Sequence, residues 1–434
     1  MNTIVALATP AGNSGVAVIR ISGQDAKKIL QKITREELDF EPRKMYLKSV
    51  YIGSVADKCL VVYFRAPFSY TGEDVVEIQS HGGYLLAQNI IEEVIRLGAT
   101  LAGRGEFSKR AFINGKLSLD QAEGIIDLIN AESEMQIKSG ANLMQGELKN
   151  KIEAIQNTLT EVLADIEAKL DYPEYDYTEQ ETTNLFSKIN EVLSSLNSLV
   201  ADSKNGLIIK NGVKVAIVGA PNVGKSSLLN ALTKSNKAIV TNIAGTTRDV
   251  IEAEYEYGGI IFRLYDTAGI HESEDVVEKI GIDRAIKTIE EADLVLRLHD
   301  SKNPCEVKTD KPVIDVYNKT DISNYKTTTA NNNTIYISAK TGENVDKLKQ
   351  LILDNSVSGK IDQNKFYLTN TRHIECVKKA IEYIKNALNI FSITSLDVVS
   401  SEIKSAWVLL GEISGTTSDE AIIDKIFSKF CLGK

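Results

Sequence analysis

The period of hydrophobic and polar positions changes several times along this chain, and each change marks a different kind of segment. Up to about residue 117, short β-rich runs at Ile4 to Ala8, Val16 to Ile21, Met45 to Tyr51, Leu60 to Phe64 and Val75 to Gln79 alternate with turns. One helical stretch follows, Tyr84 to Arg96, stopping at Gly98, so the pattern predicts an α+β domain over residues 1–117. From Leu148 the apolar positions Ile152, Ile155, Leu159, Val162, Leu163, Ile166 and Leu170 fall at helical spacing. They predict a long amphipathic helix that ends near Pro173. An acidic, tyrosine-rich connection, Tyr172 to Glu181, leads to a second helix marked by Leu185, Ile189, Val192, Leu196 and Leu199.

After Asn211-Gly212 the period shortens again. Val213 to Val218 reads as a buried strand, Ile251 to Tyr257 and Ile260 to Tyr265 as a hairpin about Gly258-Gly259, and Leu294 to Leu298, Val313 to Val316 and Ile335 to Ile337 as further strands of a mostly parallel sheet. Thr327 to Asn333 is a polar loop. Helical spacing resumes at Ile374, Val377, Ile381, Ile384 and Leu388, and again at Ile403, Trp407 and Leu410. Thr417-Ser418-Asp419-Glu420 reads as a capping box for a last helix through Ile423, Ile426 and Phe427. The whole predicts a multidomain α/β protein: residues 1–117, a helical region at 118–211 and 358–434, and an α/β domain at 212–357 inserted between its halves.

Composition narrows the class. A chain of 434 residues exceeds one hydrophobic core, and 43% hydrophobic with 25% charged residues is ordinary for a globular protein. No apolar run reaches the length of a membrane span and the first residues lack the signature of a secretory signal, which predicts a cytoplasmic location. Cys59, Cys305, Cys376 and Cys431 are far apart, without a Cys-x-x-Cys pair, so neither a zinc site nor a disulfide framework is indicated. A formal charge of −9 argues against a surface coated in cations for nucleic acid; any such contact must be local or shared with a basic partner.

The chemistry concentrates in the inserted domain. Gly219-Ala220-Pro221-Asn222-Val223-Gly224-Lys225-Ser226, between a strand and the helix opening Ser227-Leu228-Leu229, is a phosphate-binding loop. Its glycines let backbone N–H groups crowd around phosphate oxygens at a helix N-terminus. Lys225 supplies charge to the β- and γ-phosphates, and Ser226 a hydroxyl for Mg²⁺. Asp266-Thr267-Ala268-Gly269 ends a strand, which suits Asp266 to hold Mg²⁺ through water and the Gly269 N–H to sense the γ-phosphate. Asn318-Lys319-Thr320-Asp321 carries the residues that read guanine, Asp321 accepting from the ring edge, and Ser338-Ala339-Lys340 closes over the base. Singly, Asp266 is also a plausible turn cap and Asn318-Lys319 a plain turn; their shared order predicts GTP binding and hydrolysis.

Thr241-Asn242-Ile243-Ala244-Gly245-Thr246-Thr247-Arg248-Asp249 lies where a GTPase places its first switch, and Thr247 is the candidate that completes the Mg²⁺ shell. Ile270 stands where a Ras-type protein carries the glutamine that orients water. Either hydrolysis is very slow, or another residue and another cation help. Asn222 either stabilises its loop or, with carbonyls between Thr241 and Thr246, ligates a monovalent cation.

Taken with stretches at both ends, these motifs resemble the MnmE (TrmE) family of tRNA-modification GTPases over nearly the whole chain. The resemblance is carried by Thr3-Ile4-Val5-Ala6, Val18-Ile19-Arg20-Ile21-Ser22-Gly23, Tyr70-Thr71-Gly72-Glu73-Asp74-Val75-Val76-Glu77, His81-Gly82-Gly83, Gly105-Glu106-Phe107-Ser108-Lys109-Arg110-Ala111-Phe112, Asn114-Gly115-Lys116 and Cys431-Leu432-Gly433-Lys434. It implies a homodimeric, K⁺-stimulated GTPase whose nucleotide domains pair across their γ-phosphates. In it Asn222 and the carbonyls of Thr241, Ile243 and Thr246 hold K⁺, while Glu278 positions the attacking water through a second water. Read alone, Glu278 is a solvated helix residue.

The same resemblance implies a folate fold for the N-terminal domain, with Arg20, Glu77, Lys116 and Lys434 at the site of a tetrahydrofolate derivative, either 5-formyl- or methylene-tetrahydrofolate. Cys431 then takes part in the modification chemistry or in packing. The implied reaction, carried out with the flavoprotein MnmG (GidA), modifies C5 of the wobble uridine of certain tRNAs, with tetrahydrofolate supplying the carbon. Two rivals remain: a ribosome-assembly GTPase of the Era or EngA kind, and a folate-dependent aminomethyltransferase regulated by GTP.

Overall fold

The computed structural model describes residues 2–37, 39–171, 178–233, 253–266, 286–300, 307–322, 333–359, 361–362, 364–391, 393 and 395–434. Contacts divide the chain into two compact units, one of residues 1–126, 141–188 and 386–434, the other of residues 127–140 and 189–385.

The first unit is built on a six-stranded sheet. Its strands are β1 (Ile4–Leu7), β2 (Val16–Ser22), β3 (Met45–Ile52), β4 (Val55–Phe64), β5 (Val75–His81) and β6 (Thr100–Leu101), in the order β3-β4-β5-β2-β1-β6. All neighbours are antiparallel except β1 and β6. Alternation along β2 sends Ala17, Ile19 and Ile21 to one face, where they bury against helices α1 (Ala26–Thr34) and α2 (Tyr84–Arg96). Arg20 points to the opposite face, where Ile4, Ala6 and Phe107 form a smaller core under helix α3 (Glu106–Ile113). The predicted strands and α2 are present; α1, α3 and β6 are additions, each too short or too polar for its period to stand out.

Helices α4 (Leu119–Ile129), α5 (Glu134–Met144), α6 (Glu147–Asp171), α7 (Glu179–Val200) and α8 (Ser203–Asn211) follow. Beyond the inserted domain come α11 (Thr371–Ile390), α12 (Leu396–Ser414) and α13 (Glu420–Phe427). α6 and α12 pack side by side: the Gln156 amide donates to the Trp407 carbonyl at 2.9 Å and the Trp407 indole to Thr160 Oγ1 at 3.1 Å. Chain from before and after the insertion thus meets in one helical layer, as expected. The capping box does not form as read. Asp419 is the N-cap of α13, accepting from the Ala421 N–H, while Thr417 Oγ1 donates back to the Val408 carbonyl at 2.7 Å. Asp419 sits next to the first helical residue, so the shorter connection wins the capping position.

The second unit holds a sheet ordered β12-β11-β10-β7-β9-β8. Its strands are β7 (Val213–Gly219), β8 (Ala253–Tyr257), β9 (Ile260–Asp266), β10 (Leu294–His299), β11 (Val313–Tyr317) and β12 (Thr334–Tyr336), parallel except for the β8–β9 hairpin. Helices α9 (Lys225–Thr233) and α10 (Val345–Ser356) cover one face. Residues 127–140 clip onto the hairpin. Met135, 6% exposed, lies so close beneath the turn that a Cβ on Gly259 would stand 2.3 Å from its Cγ. Glu132 pairs with Arg263, and Asp127 with Lys210 at 2.8 Å.

Candidate active site and the cleft at Arg20

The nucleotide site forms where β7 turns into α9, at the carboxyl ends of the parallel strands. Two glycines are required there sterically. A Cβ on Gly219 would stand 2.8 Å from the Leu298 carbonyl, and one on Gly224, at φ 104°, 2.4 Å from the Asn318 amide. Asn318 ties the site together, its amide donating to the Val223 carbonyl at 3.0 Å and its carbonyl accepting from the Ala339 N–H at 3.0 Å. Ser338 Oγ donates to Asp321 Oδ1 at 2.8 Å, fixing that carboxylate. Gly224, Ser227, Asn318, Lys319, Asp321 and Lys340 are among the residues lining a crevice of about 600 Å³.

Lys225 lies along the loop, donating to the Gly219 carbonyl at 2.9 Å, with its ammonium 3.9 Å from Asp266 Oδ1. That oxygen is buried without a hydrogen bond. Burial raises the Asp266 pKa above the usual carboxylate value, and the Lys225 charge offsets only part of the rise. A buried carboxylate oxygen without a hydrogen bond, at the end of the strand paired to β7 and beside Lys225 of the phosphate loop, fits the water shell of Mg²⁺. Asn222 is exposed at φ 61°, and its side chain makes no hydrogen bond among the described residues. A free amide carbonyl beside the phosphate loop suits a monovalent cation. Thr241, Asn242, Ile243, Ala244, Gly245, Thr246 and Thr247, together with Thr267, Ala268, Gly269 and Glu278, lie outside the described residues.

A second cluster forms in the other unit. Arg20 on β2 faces Glu77 on β5 in register, donating from Nε and Nη2 to Glu77 Oε1 at 2.9 and 2.8 Å. Its Nη1 donates to the Gly433 carbonyl at 3.2 Å. The segment arrives there because Ile426, Phe427 and Phe430 bury against Leu119 and Ala122, with Phe112 alongside. Gly433, at φ 90°, runs so close to β1 that a Cβ would stand 2.2 Å from the Leu7 carbonyl. The Lys434 pKa is lowered, by burial first and then by the Arg20 charge, with Cys431 acting the other way. Two cations, Arg20 and Lys434, and one carboxylate, Glu77, thus share a part-buried cluster.

The Lys116 side chain lies over Gly72, where a Cβ would stand 3.4 Å from its Cε. Tyr70 and Phe107 flank the cluster, their ring centroids 5.4 and 5.8 Å from the Arg20 guanidinium. Neither aromatic is singled out by the sequence, although both fall inside the quoted motifs. A polar network holds the loop that carries Tyr70: Ser22 Oγ donates to Glu73 at 2.7 Å, Arg110, 3% exposed, donates to Glu73 at 3.1 Å, and Asn114 donates to the Thr71 carbonyl at 2.7 Å.

This fold and this loop geometry define a P-loop GTPase carrying two further modules. Residues 3–116 match the model of the GTP-binding protein TrmE N-terminus, and residues 119–431 that of the MnmE helical domain. The chain is similar to the tRNA modification GTPase MnmE of Streptococcus thermophilus, 40% identical across 100% of this chain and 98% of the relative. The proteins of the same name from Acetivibrio thermocellus and Geobacillus thermodenitrificans are 40% and 37% identical, across 100% of this chain and 99% of each relative. The chain belongs to the MnmE family of tRNA modification GTPases. Among the described residues, no helix is long and apolar enough to cross a membrane.

Proposed function

We propose that this GTPase is K⁺-dependent and Mg²⁺-dependent, acts in the cytoplasm as a homodimer, and works with the flavoprotein MnmG to modify C5 of the wobble uridine of certain tRNAs. A tetrahydrofolate derivative bound at Arg20, Glu77, Lys116 and Lys434 supplies the carbon. The observation that carries this reading is the junction of Arg20 with Glu77 and Gly433, which builds a charged cluster from chain 413 residues apart. Arg20 and Lys434 suit the carboxylates of a glutamate tail, and Glu77 Oε2, outside the Arg20 pair, suits the donor edge of a pterin.

In the nucleotide site, Lys225 and the loop N–H groups orient the phosphates, Ser226, Thr247 and Asp266 hold Mg²⁺ directly or through water, and Asp321 selects guanine. Bound Mg²⁺ and K⁺ neutralise charge that develops on the phosphates. Asn222, Thr241, Ile243 and Thr246 hold K⁺, and Glu278 holds the water that positions the attacking one. Cys431 stands exposed two residues from Gly433, within range of the cleft's chemistry. The homodimer is supported by an apolar outer sheet face, where Met45, Leu47 and Leu60 on β3 and β4 are 51%, 64% and 39% exposed.

The deciding measurement is nucleoside analysis of tRNA from a deletion strain. Loss of wobble-uridine C5 modification is expected. Unchanged nucleosides with defective ribosomal particles would turn the assignment to ribosome assembly, and activity on free amino substrates without the flavoprotein would turn it to an aminomethyltransferase.

A further inference from the structure

Five described residues other than glycine hold a positive φ, and two of them meet. Asn222, at φ 61°, and Lys319, at φ 68°, are the ends of one hydrogen bond, in which Lys319 Nζ donates to the Asn222 carbonyl at 2.7 Å. Asparagine tolerates left-handed backbone better than most residues but lysine does not, so the Lys319 conformation needs an external hold and the Asn222 turn is sharpened by one. A lysine ammonium on a flexible stem, bonded to one carbonyl, is a poor hold by itself. Here it has a second anchor, Asp300 Oδ2 at 3.1 Å, from a side chain only 10% exposed. Asp300 follows directly on β10, which is paired on one side to β7 and on the other to β11. The carboxylate therefore stands at the end of a strand paired on both sides.

We infer that Asp300 is a positioning residue for the monovalent-cation site. By pinning Lys319 against the Asn222 carbonyl, it fixes the left-handed turn of the phosphate loop. The turn in turn sets the direction in which Asn222 presents its side-chain carbonyl. This rests on the proposed reading of Asn222 as a cation ligand. Carbonyl ligands discriminate between cations by their number, position and field, so a turn free to relax binds K⁺ more weakly and prefers it less over Na⁺.

The test is GTP hydrolysis by the full-length protein as a function of KCl and of NaCl, beside binding of a fluorescent GDP at fixed salt. Asp300→Ala is expected to raise the half-saturating K⁺ concentration about fivefold, less than the full loss of a charge-assisted hydrogen bond because Asp300 acts on the cation only through Lys319 and Asn222. It should also narrow the K⁺ over Na⁺ rate ratio while changing GDP affinity far less. Asp300→Asn, which keeps the shape and an acceptor oxygen, should fall between. It serves as the test variant if Asp300→Ala melts earlier than wild type. An unshifted K⁺ curve in a folded variant overturns the role of Asp300, as does an equal loss of GDP and GTP affinity with the K⁺ requirement intact. Equal wild-type rates in K⁺ and Na⁺ would instead refute Asn222 as a cation ligand, and this inference with it.

Discussion

Asp266 shows how a single carboxylate is tuned by its surroundings. Its buried Oδ1 has no hydrogen bond, and burial raises its pKa above the ordinary value. The sign follows: the ionised form is disfavoured in the folded protein, so its ionisation costs stability above the unfolded pKa and that cost is relieved as pH falls. Mg²⁺ requires the ionised form. Mg²⁺-supported nucleotide binding should weaken as pH falls through a window above the usual carboxylate range, by as much as about tenfold per pH unit once the proton is bound. A Mg²⁺ titration at stepped pH checks this, and Asp266→Asn should flatten the dependence. At this scale much was legible in the sequence. Lys225, Asp266, Asn318 and Asp321 announce themselves because phosphate and guanine chemistry demands those types at those spacings. Asp300, Tyr70 and Phe107 do not, because a partner to Lys319 or an aromatic wall beside Arg20 is defined by through-space contact and has no fixed interval.

Among elements, the β8–β9 hairpin illustrates the same boundary. Its strands and its Gly258-Gly259 turn are plain in the alternation, yet the clip over it comes from residues 127–140, far away in the chain. Met135 belongs to the main core of that unit. Met135→Ala should cost about 2–5 kcal/mol by denaturant melting, the range for emptying a buried methionine site. Gly259→Ala should destabilise through both its φ of 82° and the contact with Met135. Combining the two changes should cost less than their sum, because the cavity admits the new methyl; strict additivity would show that the clip does not touch the turn in solution. The clip escaped the sequence reading because α4 and α5 are short and carry mixed faces. The long α6, with Ile152, Leu159, Val162 and Ile166 all fully buried, did not escape.

For the whole molecule, two observations matter most: a sheet face left apolar and a charged cluster joined by distant chain. Leu47→Glu, on the exposed face of β3, should split the proposed homodimer into monomers in sedimentation experiments, with a like effect from Leu60→Lys. Retention of a dimer by both variants would move the interface elsewhere. The order of strand-rich and helical segments along the chain was readable because the hydrophobic period changes between them. The return of the C-terminal segment to the N-terminal domain was implied only by the resemblance that places Lys434 with Arg20, since periodicity says which face of a helix is apolar and nothing about where it will land.

Synthesis order gives the Arg20 junction a further consequence. The strand bearing Arg20 emerges early, and the carbonyl it donates to belongs to a residue 413 positions later. At about 5–20 residues per second, translation separates the two by roughly 20–80 s. Throughout that interval the nascent N-terminal sheet can fold, but its cleft stays open on one side. A product abandoned by the ribosome midway, however well its early domains fold, carries a guanidinium with no Gly433 to meet it.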